Sequence, residues 1–147
     1  MPTKQKIKCI VDLGMTVLLL LLMAYTLVGE AAHEWLGMAM LVLFLLHHAL
    51  NFKWLKNLPR GRYSGFRILQ TVLAALILLT MLGSMGSGIL MSRYVFGFLH
   101  LRIGDWAQSI HLLCAYWGFV LMSLHLGLHW RMILCMLRRL CKTVHSP

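Results

Sequence analysis

Four stretches of the chain are almost unbroken runs of apolar residues, at about 7–29, 35–52, 68–91 and 106–130. Polar clusters separate them: "GEAAHEW" after the first, "NFKWLKNLPRGRYSG" after the second and "SRYVFGFLHLRIGD" after the third. A helix needs about 20 mostly apolar residues to cross a bilayer. The second stretch is short, and His33 and Glu34 can lengthen it. The pattern predicts an all-α membrane protein, a four-helix transmembrane bundle. It is one membrane domain over residues 1–147, with helices at about 7–30, 33–54, 66–91 and 106–136.

Lysines precede the first stretch, as in a signal peptide. Its apolar core is longer than the 7–15 residues of a signal h-region, and "EAAHEW" is a poor cleavage site, so a retained helix is expected. Near the outer end of the third stretch, "GSMGSG" offers small residues that let helices or a flat ligand approach closely.

Composition adds the solvent. Hydrophobic residues make up 60% of the chain and mean hydropathy is +0.77, more apolar surface than a soluble domain of 147 residues can hide. The net charge of +10 suggests nucleic acid only until its distribution is read. Lys4, Lys6 and Lys8 precede the first helix. Lys53, Lys56, Arg60, Arg62 and Arg67 lie between the second and third, and Arg131, Arg138, Arg139 and Lys142 follow the fourth. Only Arg93 and Arg102 lie between the third and fourth. With four crossings, all but two of the cations fall on one side, the positive-inside pattern. A multi-pass membrane protein follows, with both termini cytoplasmic, membrane lipid as a partner and no nucleic acid. Asp12 is the one acid inside an apolar stretch, and a nearby lysine is its expected partner. Cys9, Cys114, Cys135 and Cys141 form no CxxC or CxxCH pair, which leaves free thiols and no covalent haem attachment.

The chemistry-bearing residues are histidines in apolar surroundings. Fourteen residues separate His33 from His47 in "HEWLGMAMLVLFLLH", and the step recurs from His111 to His125 in "HLLCAYWGFVLMSLH". At 100° per residue that step ends about 40° short of four turns, so each pair shares a helix face. The pair members are about 21 Å apart along the axis. His33 and His111 fall at the outer level, His47 and His125 at the inner one. Facing stripes would form two histidine pairs, one above the other, the arrangement that holds two non-covalent b-type haems between axial imidazoles. Gly37, Met40 and Phe44 lie between the ligands on one stripe and Ala115, Gly118 and Met122 on the other; Gly37 and Gly118 leave space beside a porphyrin. Two positions stay open. His48 is about 60° round the helix from His33, against about 40° for His47. A weak repeat, "LLHHALNFKW" against "SLHLGLHW", lays His47 on His125 and favours His47. His129 shares the angle of His111 and either replaces His125 or hydrogen-bonds a propionate. Arg93 and Arg102 outside, and Arg62 and Arg67 inside, are available to anionic propionates; His100 and His145 read as solvated.

"HEWLG", "HHALNFKW", "GRYSGFR", "SGILMS" and "YWGFVLMSLHLGLHW" resemble the flavinylation-associated cytochrome domain of bacterial membrane proteins, formerly a domain of unknown function. The resemblance runs from the first helix to Trp130. It implies a di-haem electron carrier with His33, His47, His111 and His125 as ligands, and partners bearing covalent flavin outside the membrane. The expected function is transmembrane electron transfer by a di-haem b-type cytochrome subunit. Electrons would pass from a quinol or a cytosolic reductase to an extracytoplasmic flavoprotein, and the chain would be a carrier subunit, not a complete enzyme. The alternatives are a histidine-based metal transporter and a cofactor-free structural subunit. An HExxH motif is absent, and carboxylates are scarce in the helix interiors.

Overall fold

The computed structural model describes residues 3–58, 64–99 and 105–144, with side chains in 131–144 described only at 133–135 and 138. Helices form wherever the apolar runs are free of proline. They are α1 (Thr3–Met23), α2 (Tyr25–Val28), α3 (Glu30–Leu50), α4 (Phe52–Lys56), α5 (Gly65–Met91) and α6 (Trp106–Val144), with a 3₁₀ turn at Gly97–Leu99. No strand occurs among the described residues.

Local chemistry sets the helix ends. Ser64 caps α5, its hydroxyl accepting from the Arg67 backbone N–H at 3.3 Å. At the far end Ser92 turns to an extended conformation and releases the chain. Gly29 joins α2 to α3 at φ 78°, the left-handed region that suits glycine. Its N–H donates to the Tyr25 carbonyl at 2.9 Å, and its own carbonyl accepts from His33 N–H at 2.9 Å. The first predicted helix is interrupted at Ala24, whose N–H is shared between the Leu20 and Leu21 carbonyls. The second starts earlier than expected, at Glu30, and ends at Leu50; Asn51 then separates it from α4. The fourth runs past the expected end to Val144.

Three helices are long and apolar enough to cross a membrane: Glu30–Leu50, Gly65–Met91 and the Trp106–Trp130 portion of α6. α1 falls short of that standard because the break at Met23 leaves it no long stretch without Lys6, Lys8 and Asp12. Large apolar side chains cover the outside, among them Leu27, Ile10, Leu79 and Leu45. Trp35 and Trp106 near one end, and Trp54 and Trp130 near the other, are more than half exposed, as in the aromatic belts at membrane–water boundaries. Hydroxyls on the helices return their protons to their own backbone: Thr71 to the Arg67 carbonyl at 2.9 Å and Ser123 to the Phe119 carbonyl at 2.8 Å. That satisfies them where water is absent.

The helices pack as two close hairpins, α1 with α3 and α5 with α6. The hairpins meet more lightly, α3 against α5 and α1 against α6. Among the described residues no Cα of α3 lies within 8 Å of a Cα of α6. The buried core is Val11 and Met15 of α1, Met40 and Phe44 of α3, and Leu73, Ile77 and Met81 of α5, with Leu121 and Met122 of α6 against it. In lipid the hydrophobic effect does not draw helices together, so close van der Waals contact and polar ties matter more. The α5–α6 seam shows this. A Cβ on Gly83 would stand 2.6 Å from Cys114 Sγ, and one on Gly118 would stand 3.3 Å from Thr80 Oγ1.

Candidate functional site

The histidines occupy two levels, as the spacing predicts. At one level His33, in the first turn of α3, faces His111, in the second turn of α6, with ring centroids 6.1 Å apart and planes at 73°. The helix backbones stay apart, and the two imidazoles reach across the gap. Two imidazole nitrogens bound to one metal at about 2.0–2.1 Å each would put ring centres about 6 Å apart. Tyr25 packs edge-on against His33, centroids 5.1 Å apart.

His111 is seated by the "GSMGSG" segment of α5. Its Nδ1 lies 2.9 Å from the Ser84 carbonyl and 3.3 Å from Ser87 Oγ. A carbonyl can only accept, so Nδ1 carries the proton and Nε2 is left with its lone pair. Ser87 is buried and donates to the Gly83 carbonyl at 2.6 Å. The His111 ring covers Gly88, where a Cβ would stand 3.3 Å from Cε1. The small residues read as allowing close approach thus hold one imidazole in a fixed tautomer and orientation.

Toward the other end of α3, His47 Nδ1 lies 2.7 Å from Asp12 Oδ1. An ionised carboxylate only accepts, so His47 is also the Nδ1–H tautomer. This corrects the expectation of a lysine partner for Asp12: Lys8 Nζ instead donates to Asn51 Oδ1 at 2.7 Å. The antiparallel hairpin explains both pairs. Folded at the Gly29–Glu30 junction, the chain lays Asp12 opposite His47 and, one turn on, Lys8 opposite Asn51. His125 lies within electrostatic reach of His47 and Asp12. Its ring meets His129 edge-on, centroids 4.7 Å apart. His48 turns back on its own helix, with Nδ1 2.9 Å from the Phe44 carbonyl and its ring 4.3 Å from that of Phe44.

Among the described residues, two buried histidine nitrogens lack a well-formed hydrogen bond. Nδ1 of His33 and Nδ1 of His125 are buried without a hydrogen-bond partner. An unsatisfied buried polar atom costs about 1–3 kcal/mol and calls for a specific cause, such as a bound ligand or water. One such atom occurs at each level. Gly37, between the levels on α3, has open space where a Cβ would be. Gly118 differs from the expectation of space beside a ligand: Thr80 of α5 lies against it, which makes it part of the α5–α6 seam. Met40 and Phe44, the other residues of the His33 stripe, are core. Among the described residues no group of three or more His, Cys, Asp or Glu could hold a metal ion. A porphyrin supplies its own equatorial nitrogens, so a haem iron asks only two side chains of the protein.

Glu34, one residue from His33, was missed as a structural element. Its carboxylate accepts from Ser92 Oγ at 2.6 Å and from the backbone N–H groups of Arg93, Tyr94 and Val95 at 2.8, 2.9 and 3.0 Å. It thereby fastens the first turn of α3 to the end of α5. Of the arginines named for propionates, Arg93 lies 3.6 Å from Glu30 and Arg67 donates to the Asn57 carbonyl at 3.1 Å. Arg62, Arg102, His100 and His145 lie outside the described residues. Cys9, Cys114 and Cys135 are free thiols; the side chain of Cys141 is outside the described set.

No protein-family model, curated protein or solved structure matches this chain.

Proposed function

We propose that the protein is a di-haem b-type cytochrome subunit that passes electrons across a bacterial cytoplasmic membrane. In this reading the α1–α2 segment supplies a fourth crossing and the helices form a four-helix bundle. The observation that carries it is the outer histidine pair: two imidazoles with centroids 6.1 Å apart, reaching between helices whose backbones stay apart. A second pair of the same sequence spacing lies about 21 Å further along the axis. His33 and His111 would hold the outer haem, His47 and His125 the inner one. Haem b supplies reversible one-electron exchange at its iron. The Ser84 carbonyl and the Asp12 carboxylate, by taking the Nδ1 protons of His111 and His47, orient two of the four rings for ligation through Nε2. The unpartnered nitrogens of His33 and His125 fit residues whose partner is a bound group. His47 is favoured over His48 because its Nδ1 is tied to Asp12 of the neighbouring helix, whereas His48 turns back on the Phe44 carbonyl of its own helix. His129, whose ring meets that of His125, would hydrogen-bond a propionate in this reading. A quinol or cytosolic reductase as donor and an external flavoprotein as acceptor complete the proposal.

Protein purified in detergent should contain two haem b per chain, measured by pyridine haemochrome and extracted by acid acetone. Absence of haem would reject the reading in favour of a structural subunit or metal transporter, and haem that survives extraction would reject the b-type assignment. The distribution of cations further predicts that reporters fused at Pro147 and in the loop near Gly97 give opposite sidedness, with Pro147 cytoplasmic. An external Pro147 would exchange the inner and outer labels.

A further inference from the structure

The two proposed ligands with bonded Nδ1 atoms differ in one respect. His111 gives its proton to neutral oxygens, the Ser84 carbonyl at 2.9 Å and Ser87 Oγ at 3.3 Å. His47 gives its proton to a carboxylate, Asp12 Oδ1 at 2.7 Å. Among the described residues the ion pair of Asp12 is with His47, and the Lys8 ammonium donates to Asn51 Oδ1 at 2.7 Å. The outer level has an acid nearby in Glu34, but four donors surround that carboxylate and none of them is an imidazole. Among the described residues, His47 is therefore the only one of the four candidate ligands hydrogen-bonded to an anion.

A carboxylate on the far nitrogen of an axial imidazole makes that imidazole a stronger donor to iron. Stronger donation and nearby negative charge favour the ferric over the ferrous state, and so lower the reduction potential. We propose that Asp12 is a positioning residue for His47 that makes the inner haem the lower-potential carrier, so that electrons run downhill from the cytoplasmic to the outer face. This rests on the di-haem reading and adds to it the order of the two potentials and the residue that sets it.

The test is a redox titration of the haem-loaded protein, followed by optical difference spectra. Wild type should titrate in two waves. Asp12→Asn keeps an acceptor of the same shape and removes the charge. It should raise the lower wave by about tenfold in the ferric–ferrous equilibrium, ~59 mV for one electron, and leave the upper wave in place. Asp12→Glu should restore the wild-type position. An unmoved lower wave, a shift of the upper wave instead, or an equal shift of both would overturn the inference. If Asp12→Asn does not accumulate, two single-haem variants decide. The haem kept by His111→Ala must titrate below the haem kept by His47→Ala, and the reverse order overturns the proposal. Wild-type protein that binds no haem overturns the di-haem reading and this inference together, whereas haem-loaded protein with the wrong order overturns this inference alone.

Discussion

Replacing either His33 or His111 with alanine should remove the same haem, and replacing either His47 or His125 should remove the other. Each single variant should hold one haem in place of two and lose electron passage across the membrane, because a chain of two carriers is broken at one link. The expectation follows from level. His33 and His111 already stand with ring centroids 6.1 Å apart, while a ligand from the other level is about 21 Å away along the helix axis, beyond the reach of a single iron. The surviving haem should keep its reduced-minus-oxidised spectrum, since its ligands are on different turns of the helices. Spectroscopically different losses from His33→Ala and His111→Ala, or two haems remaining in either, would refute the stacked pairs. His48→Ala should leave both haems bound; loss of the inner haem there, with His47→Ala harmless, would move the inner ligand by one residue.

The second large effect is expected on the α5–α6 seam. Gly83→Ala places a methyl group 2.6 Å from Cys114 Sγ, closer than packed atoms stand, so the thiol must change rotamer or the helices must part. Overpacking of this kind costs about 1–3 kcal/mol. The strain falls one residue from Ser84, whose carbonyl orients His111, so the outer haem should be lost first on heating. The Cys114→Ala background removes the sulfur and leaves Cβ at 3.6 Å, an ordinary contact. Gly83→Ala should then have little effect, and the two substitutions should be strongly non-additive. Thermal unfolding in detergent, with haem absorbance as a second probe, measures the cycle. Equal losses in both backgrounds would show that Gly83 matters for something other than its contact with Cys114.

Much of the architecture is legible in the sequence because the pattern is long and the solvent is apolar. Runs of about 20 apolar residues have few alternatives to a helix, since every backbone polar group must bond within its own segment. The step between His33 and His47, repeated at His111 and His125, determines that each pair shares a helix face, because helical rotation per residue is nearly constant. The distribution of lysine and arginine carries the expected sidedness in the same way. The limits of that reading are physical. Periodicity says which residues share a face but not how far a helix is rotated against its neighbour, so Gly118, on the ligand stripe by count, packs on Thr80. Nor does it say which side chain will take the protons of a ring. Asp12 meets His47 because α1 and α3 turn back on each other at Gly29, which puts residues equally distant from the turn at one depth. Only the folded hairpin brings "GSMGSG" round the His111 ring. Likewise, only the turn after α5, where the N–H groups of Arg93, Tyr94 and Val95 have left the helix and its acceptors, gives Glu34 its partners. The sequence by itself determined the helices and the histidine levels; the orientation of each imidazole was decided by tertiary contacts, because a hydrogen bond depends on ångström-scale placement across helices that local sequence does not encode.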